Sequence, residues 1–596
     1  MTRRDNGPGR FADLAGPALL LGLAWLAVVA QLLYADWAAT GRTLGDTDDA
    51  MRLVEVRAFL AGQGWFDLHE PRLSPPAGYD SHWSRLIDAG LAGLHVAFAT
   101  VVSAPLAERL MRTVWPLLWL LPAIAAVAAM AWRIAGREAA LAALVLVVAG
   151  LPLYSQFHPG RIDHHNVQIA LSLAALAAAV WSDRSRAAAA LAGGLIGFAL
   201  AVGLESLPVL VVAAAVPVAG FLRDRDAAAA LRWFALALAA GTAVAFLTGV
   251  APARWAVAAC DAIAINWAAP LVVAGLGLAV VAGRNAVLSS APHRLAAVAA
   301  VAVVVAALFL GIEPRCLRGP FALMDPALRP WMAQVAEMQP ILSTLRTTPA
   351  VGTTLIAFPL AAVLAIVPLA FDRTLRRDPG FVAVAVAAVA VTAVGMVAIK
   401  GLNYAYWLAI PLMATACARL VTGLRLASPA TRVLPAVLLS PLALSALALV
   451  AVQVFGGTPP AEDRRLGRGC FDDASYARLA ALPPGIVVAG IDHGPFILAL
   501  TPHAVLGAPY HRLADGILAS HRSFALPPDA ARDEILAHRG DYVVTCGPVR
   551  PWGLDAAALE TSLAGRLAAG DVPTWLRPIA AGPDEPLAIY AVERPR

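Results

Sequence analysis

Charge is what this 596-residue chain has least of: Asp, Glu, Lys and Arg together make up 14% of it, against about 25% in a soluble globular protein. With 60% hydrophobic residues and a mean hydropathy of +0.71, that shortage excludes a soluble globular chain and places the sequence in lipid. The net charge of +5 is small for the length, and the arginines fall in short loops rather than in one block. This speaks for topology signals and against nucleic-acid binding. Cysteine is scarce too. Cys260, Cys316, Cys417, Cys470 and Cys546 show no CxxC or other metal-ligand spacing. Cys470 and Cys546 share the C-terminal region, where two readings stand: a bridge if that region faces an oxidising compartment, or two separate buried thiols. There is no repeat of fixed period and no low-complexity tract beyond alanine-rich helices.

What is present is apolar sequence in lengths that span a bilayer. Residues 1–10 carry three arginines ahead of an apolar run of about 24 residues, too long for a signal-peptide core and without a small-residue cleavage site, so a retained first helix is expected. Runs of spanning length lie near 12–35, 112–132, 138–157, 166–182, 187–204, 205–222 and 230–249. Six more lie near 265–283, 293–311, 351–371, 380–399, 403–423 and 432–455. One further run, 87–104, is decided by arginines. If it does not span and the N-terminus is cytoplasmic, the cytoplasmic loops hold Arg133 and Arg137, Arg184 and Arg186, Arg223, Arg225 and Arg232, and Arg284 and Arg294. Later ones hold Arg373, Arg376 and Arg377, then Arg419, Arg425 and Arg432, so every such loop is basic. A spanning 87–104 would invert them all, so it is expected as an interfacial or re-entrant helix.

The expected fold is therefore an α-helical polytopic membrane protein of about 13 transmembrane helices. The transmembrane domain covers 1–456, with outer loops 36–111 and 312–350, and an extracytoplasmic C-terminal α/β domain covers 457–596. In the latter, Ile486–Ala489, Ile497–Leu500, Tyr542–Thr545 and Leu587–Val592 read as short strands, and Asp529–His538 as helix. Four polar segments share the outer face: 36–111, 158–165, 312–350 and all that follows 456.

Three constellations on that face carry chemistry. Asp46, Asp48 and Asp49 repel one another unless a cation or proton intervenes. They fit an oxygen-ligated divalent metal, or a solvated acidic cap on the next helix. In His158–Asn166, Asp163 and His165 are two residues apart and point to one ion if the chain is extended there. The alternative is a capping segment with Asn166 as N-cap. Acidic and imidazole clusters on one face favour the metal, and imidazole suits manganese or zinc better than magnesium or calcium. Glu337, in Val335–Pro340, lies in the loop before the tenth span, where solvation is the default, as it is for Glu205 at an outer tip. Lys400, with Asn403 and Tyr404 nearby, either reaches the headgroups or binds a phosphate.

Together these segments resemble the catalytic subunit of oligosaccharyltransferases of archaeal and bacterial type, a branch of the GT-C membrane glycosyltransferases, along nearly the whole chain. Asp48 precedes Arg57-Ala58-Phe59-Leu60 at the spacing of the family's first catalytic aspartate, with Asp46 completing a DxD-like pair. Gly160-Arg161-Ile162-Asp163-His164-His165 looks like the second acidic motif in its Asp-His-His form, and Val335–Pro340 like the outer-loop glutamate motif. The family's Trp-Trp-Asp-Tyr-Gly acceptor motif corresponds to Gly490-Ile491-Asp492-His493-Gly494, where Asp and Gly remain without the tryptophans and tyrosine.

The resemblance implies a sugar donor on polyprenyl phosphate or diphosphate. A divalent ion, Mn2+ or Mg2+, would be held by Asp48, Asp163, His165 and Asp46, with Asp48, Asp163 and Glu337 catalytic. Glu337 would position or deprotonate the acceptor, Lys400, Asn403 and Tyr404 would meet the donor phosphate, and Asp492 and His493 the acceptor. The acceptor is open between protein, lipid and glycan. The implied location is the bacterial inner membrane, multi-pass, with the C-terminal domain periplasmic. Two other readings remain: a GT-C enzyme moving one sugar to lipid or glycan, and a polysaccharide or lipid transporter or flippase. The latter would keep its ionisable groups at mid-membrane, often in paired half-repeats. The histidines His503, His511 and His521 show no ligand spacing and are expected at a solvated surface.

Overall fold

Long apolar runs become helices wherever the backbone can satisfy itself internally. The computed structural model describes residues 11–455, 469–580, 582 and 585–594. The arginines of residues 1–10 and the expected domain boundary at 456/457 lie outside these. The helices are α1 (Phe11–Asp36), α2 (Thr47–Leu60), α3 (Arg85–Ala99), α4 (Ala104–Val148), α5 (His165–Val180) and α6 (Arg186–Val202). They continue with α7 (Leu207–Arg223), α8 (Ala228–Gly249), α9 (Ile265–Gly283), α10 (Ala291–Ile312), α11 (Arg329–Met332) and α12 (Ile341–Thr347). Then come α13 (Pro349–Ala370), α14 (Arg373–Arg377), α15 (Pro379–Val397), α16 (Leu402–Gly423), α17 (Pro429–Leu438) and α18 (Pro441–Phe455).

Among the described residues, eight helices are long and apolar enough to cross a membrane, nine if the bent pair α17 and α18 acts as one span. Helices α5, α6 and α7 are apolar but only 16–17 residues long. The expected run 112–132 and the first part of 138–157, as far as Val148, belong to the 45-residue stretch α4, broken between them at Ala135 and Gly136, where Gly136 takes φ 79°. Only glycine adopts that angle without strain, so the break sits there. The run 432–455 is likewise broken between α17 and α18, which meet at 48°. The ambiguous run 87–104 is α3, of 15 residues, about 22 Å long and short of a hydrocarbon core of about 30 Å. α6 and α8 pack closely through glycine: a Cβ on Gly197 would lie 2.5 Å from the Gly241 carbonyl carbon. Small residues let backbones approach this way.

In the first long loop, β1 (His69–Glu70) and β2 (Tyr79–Asp80) pair antiparallel. The C-terminal region forms a five-stranded sheet of order β4-β3-β5-β7-β6, from β3 (Ile486–Ala489), β4 (Ala504–Val505), β5 (Tyr542–Thr545), β6 (Leu576–Ile579) and β7 (Ala588–Val592). β3 pairs in parallel with β4 and β5; β5–β7 and β7–β6 are antiparallel. The run 497–500 is not a strand. It closes the helical turn Gly494–Leu500, with Pro495 in its first turn, where proline's missing N–H costs nothing. The run 529–538 is helical, as Pro528–Ala537.

The first long loop completes this sheet. Leu73 bridges Val505 in parallel, and the Ser74 N–H donates to Val505 O at 2.8 Å. Arg72 Nη1 donates to Leu498 O (3.0 Å) and Thr501 O (3.2 Å). A disulfide joins Cys470 to Cys546, and a second, unforeseen, joins Cys260 to Cys316; Cys417 is a buried free thiol.

Candidate active site

Asp46 caps α2 by accepting from the N–H groups of Asp48 (3.0 Å) and Asp49 (3.1 Å), and the Asp49 carboxylate returns to the Asp46 N–H at 3.2 Å. This reciprocal cap satisfies the first free donors of the helix. It leaves Asp48 pointing elsewhere. Asp49 Oδ1 also accepts from the N–H groups of Ile162 (2.6 Å) and Asp163 (3.0 Å), which pins the second acidic segment against the first. One ligand atom each from Asp48, Asp163 and His165 then lies within 4.8 Å of the others.

The Asp163–His165 segment is not extended. It turns, with the His165 N–H donating to Asp163 Oδ1 at 3.0 Å, and α5 starts from His164 rather than Asn166. Asn166 is fully buried and donates from Nδ2 to Arg161 O at 3.0 Å. Arg161 stands among the carboxylates: it pairs with Asp46 and Asp163, and its Nη1 lies 3.0 Å from Asp49 Oδ2. Asp46 is therefore neutralised by a guanidinium and by its cap. One of its carboxylate oxygens still lies within 4.8 Å of ligand atoms of Asp49 and Asp163.

Burial raises the Asp48 carboxyl to about 7, with Asp46 and Asp163 adding to the shift. Burial also works against Asp163, but Arg161, His165 and His164 outweigh it and hold that carboxyl below the usual range. Two carboxylates and an imidazole converge in a buried place where one carboxylate lacks a fixed cation. That donor set suits a divalent ion of manganese or zinc character.

The largest departure from expectation is Glu205. It is no solvated tip. It follows α6, pairs with Lys400, and places Oε2 3.1 Å from His165 Nδ1 and Oε1 3.9 Å from His164 Nε2. Burial raises its carboxyl, yet Lys400 and His165 hold it well below the ordinary range. Lys400 also donates from Nζ to Glu337 Oε1 at 3.1 Å, which brings the long-loop glutamate to the same place. Glu337 remains half exposed, at 51% for its side chain. Lys400 is thus held between two carboxylates, those of Glu205 and Glu337.

At the start of α16, Asn403 Oδ1 accepts from Ser155 Oγ at 3.1 Å, and the Tyr404 hydroxyl is buried without a partner. Asp492 lines the cavity described below. His493 does not: Tyr476 Oη lies 2.8 Å from its Nδ1 and Phe471 stacks on its ring at 4.9 Å. Burial lowers His493 to about 4, so it is neutral at pH 7. Of the histidines expected at a solvated surface, His503 is fully buried, His511 joins an aspartate in the cavity wall and His521 stacks on Trp552 at 3.6 Å.

These groups border one cavity of about 1640 Å³. Asp48, His164, Glu205, Glu337, Lys400 and Asp492 line it, so it is shared by the first long loop, the ends of the helices, the loop before α13 and the C-terminal sheet domain. Asp163 and His165 lie directly behind Asp48.

No family model matches the chain, and no curated protein matches it. Solved structures do share its fold. The archaeal oligosaccharyltransferase AglB from Archaeoglobus fulgidus, in complex with an inhibitory peptide and a dolichol-phosphate, superposes with a TM-score of 0.68 at 14% identity, over 96% of this chain and 80% of that one. The apo form of the Archaeoglobus fulgidus oligosaccharyltransferase gives 0.64 at 17% identity, over 88% and 69%. The same organism's enzyme tethered by a disulfide to an acceptor peptide containing the NVT sequon gives 0.62 at 16%, over 97% and 74%. The fold is that of the GT-C membrane glycosyltransferases, with a small C-terminal sheet domain.

Proposed function

We propose that this chain of GT-C fold is an integral-membrane glycosyltransferase that moves a sugar or oligosaccharide from a polyprenyl phosphate or diphosphate to an acceptor, in the manner of an oligosaccharyltransferase. The observation that carries this reading is the meeting of Asp48, Asp163 and His165 at the wall of the large cavity, with Lys400 and Glu337 alongside. The AglB structure contains a dolichol-phosphate, which supports a lipid phosphate as donor. Two disulfides, one of them within the C-terminal domain and the other in the cavity wall, support an extracytoplasmic site, in the periplasm of a bacterial inner membrane protein.

In this reading Asp48, Asp163 and His165 hold a divalent ion, Mn2+ or Mg2+, with imidazole favouring manganese. Such an ion would neutralise charge on the departing phosphate. Lys400 exchanges its contact with Glu337 for the donor phosphate, assisted by the unpartnered Tyr404 hydroxyl and by Asn403. Glu337, released, accepts the acceptor's proton as a general base. Asp492 faces the acceptor, and His493 supports the wall behind it. Asp46 would be a further ligand on the Asp163 side, with Arg161 balancing the remaining carboxylate charge. The absence of the paired tryptophans beside Asp492 favours a second reading, transfer of a single sugar to lipid or glycan. Transport finds less support, because the ionisable groups gather at helix ends around one cavity.

The test is transfer of label in membranes from cells producing a labelled lipid-linked sugar, for wild type and for Asp48→Ala, Asp163→Ala and Glu337→Ala, with and without EDTA. Each substitution, and EDTA, is expected to reduce transfer by about 100-fold or more at unchanged expression. Intact transfer in all three variants would overturn the assignment. The labelled product identifies the acceptor.

A further inference from the structure

Three side chains outside the Asp48 group converge at another part of the cavity wall. His82 comes from the first long loop, Asp261 from the loop after α8, and His511 from the C-terminal domain. One ligand atom from each lies within 4.8 Å of the other two. His511 Nε2 is 2.7 Å from Asp261 Oδ2, and His82 Nε2 stops 3.8 Å from that same oxygen. The two rings meet edge to face with centroids 5.4 Å apart.

The 3.8 Å gap is too wide for a hydrogen bond. It is one that an ion with bonds of about 2.0–2.2 Å to each ligand bridges. His82 Nδ1 is buried with no partner, so neither ring nitrogen of His82 is satisfied by the protein. Arg512 donates to both oxygens of Asp261, from Nε at 2.9 Å and Nη2 at 2.6 Å. A ligating carboxylate is normally hydrogen-bonded in this way by a group behind it. The Asp261 loop is also held in place, because the neighbouring Cys260 is bridged to Cys316.

We propose that His82, Asp261 and His511 form a second metal site, for a late first-row transition ion such as zinc. Two imidazoles and one carboxylate are a zinc-type set, with the fourth position open to the cavity. The ion joins three distant stretches of chain, and so ties the first long loop and the C-terminal domain to the helical domain. This site stands whether or not the glycosyltransferase reading does.

The test uses full-length, detergent-purified protein freed of any histidine tag, stripped with chelator, reloaded with zinc and desalted. Bound zinc is counted by mass spectrometry and thermal unfolding is followed in parallel. In Asp48→Asn/Asp163→Asn protein, which lacks the first metal group, about one tightly held zinc is expected, with a zinc-dependent rise in melting temperature. Adding His82→Gln or His511→Gln should release that zinc and abolish the rise. No zinc in the double variant, or zinc that survives both histidine changes, overturns the proposal. If the double variant does not fold, the same histidine changes in otherwise wild-type protein decide the matter. Each should lower the zinc count by about one, and an unchanged count overturns the site.

Discussion

Glu205 lies 3.1 Å from His165 Nδ1 and pairs on its other side with Lys400, so one carboxylate orients an imidazole and a cation at once. A histidine that ligates metal through one nitrogen is commonly fixed by a carboxylate at the other. Glu205→Gln keeps the shape and removes the charge. It should weaken Mn2+ binding about 10–100-fold, read from the free-ion signal in an electron paramagnetic resonance titration; unchanged affinity would leave Glu205 without this positioning role. Asp48 adds a pH dependence. Its carboxyl, raised to about 7, must lose a proton before it can ligate. His165 must lose a proton too: burial lowers it, but Glu205 and Asp163 raise it to about 9. Metal affinity should therefore climb steeply below about pH 7, less steeply from there to about 9, and level off above. An unchanged slope across pH 7 would show that Asp48 is not a ligand. Asp48, Asp163 and His165 were legible in the sequence because they stand in short polar runs just after long apolar ones, at the starts of helices. Glu205 was not, since a lone glutamate between two apolar runs looks the same whether it is solvated or buried. Arg161 was missed for a related reason: its Asp46 partner is 115 residues away in sequence.

At the scale of elements, α3 shows how a short helix can be indispensable without spanning. Its Asp88 is fully buried and holds Arg52 Nη1 at 2.8 Å and Arg85 Nη1 at 3.0 Å; Arg52 also reaches Glu55 at 3.1 Å and lies over the Trp83 ring. This network fixes α2, whose first turn carries Asp48, against α3. Removing one partner strands buried guanidinium groups, at a cost of about 3–5 kcal/mol. Asp88→Ala should therefore lower the melting temperature of the purified protein sharply and reduce its yield, with Asp88→Asn intermediate. A melting curve like that of wild type would mean water relieves both arginines. Most helices were legible because length and apolarity are additive along the chain. The break in α4 was legible as well, since Ala135 and Gly136 fall between the expected runs 112–132 and 138–157, in the segment that carries Arg133 and Arg137. Residues 497–500 were misread as a strand because four apolar residues carry no period; Pro495 at the turn's start was the available signal.

At the scale of the whole molecule, the cavity exists only because the C-terminal domain closes over the helical one, and the closure is made by backbone pairing as much as by side chains. The sheet's β4 edge, which would otherwise be open to pairing with other chains, is covered by the first long loop through Leu73 and Ser74. Tyr510 Oη reaches across to Thr47 O at 3.1 Å, beside Asp48. None of these pairings was legible, since each joins residues more than 400 positions apart. Arg72 is the point at which they can be tested. Its two bonds to Leu498 O and Thr501 O satisfy carbonyls at the end of the Gly494–Leu500 turn, next to Asp492. A buried acceptor left without a donor costs about 1–3 kcal/mol, enough to loosen this docking without unfolding either part. Arg72→Ala should increase amide hydrogen exchange over residues 494–505. It should also reduce transfer with KM for the acceptor rising more than kcat falls, because the acceptor wall moves while the Asp48 group stays. Arg594→Ala, which breaks a bond to Asp541 at 2.8 Å within the sheet domain, should change neither. If Arg72→Ala leaves exchange and transfer at wild-type levels, the two parts are held together chiefly by apolar contact, and the first long loop is not the hinge on which the acceptor wall depends.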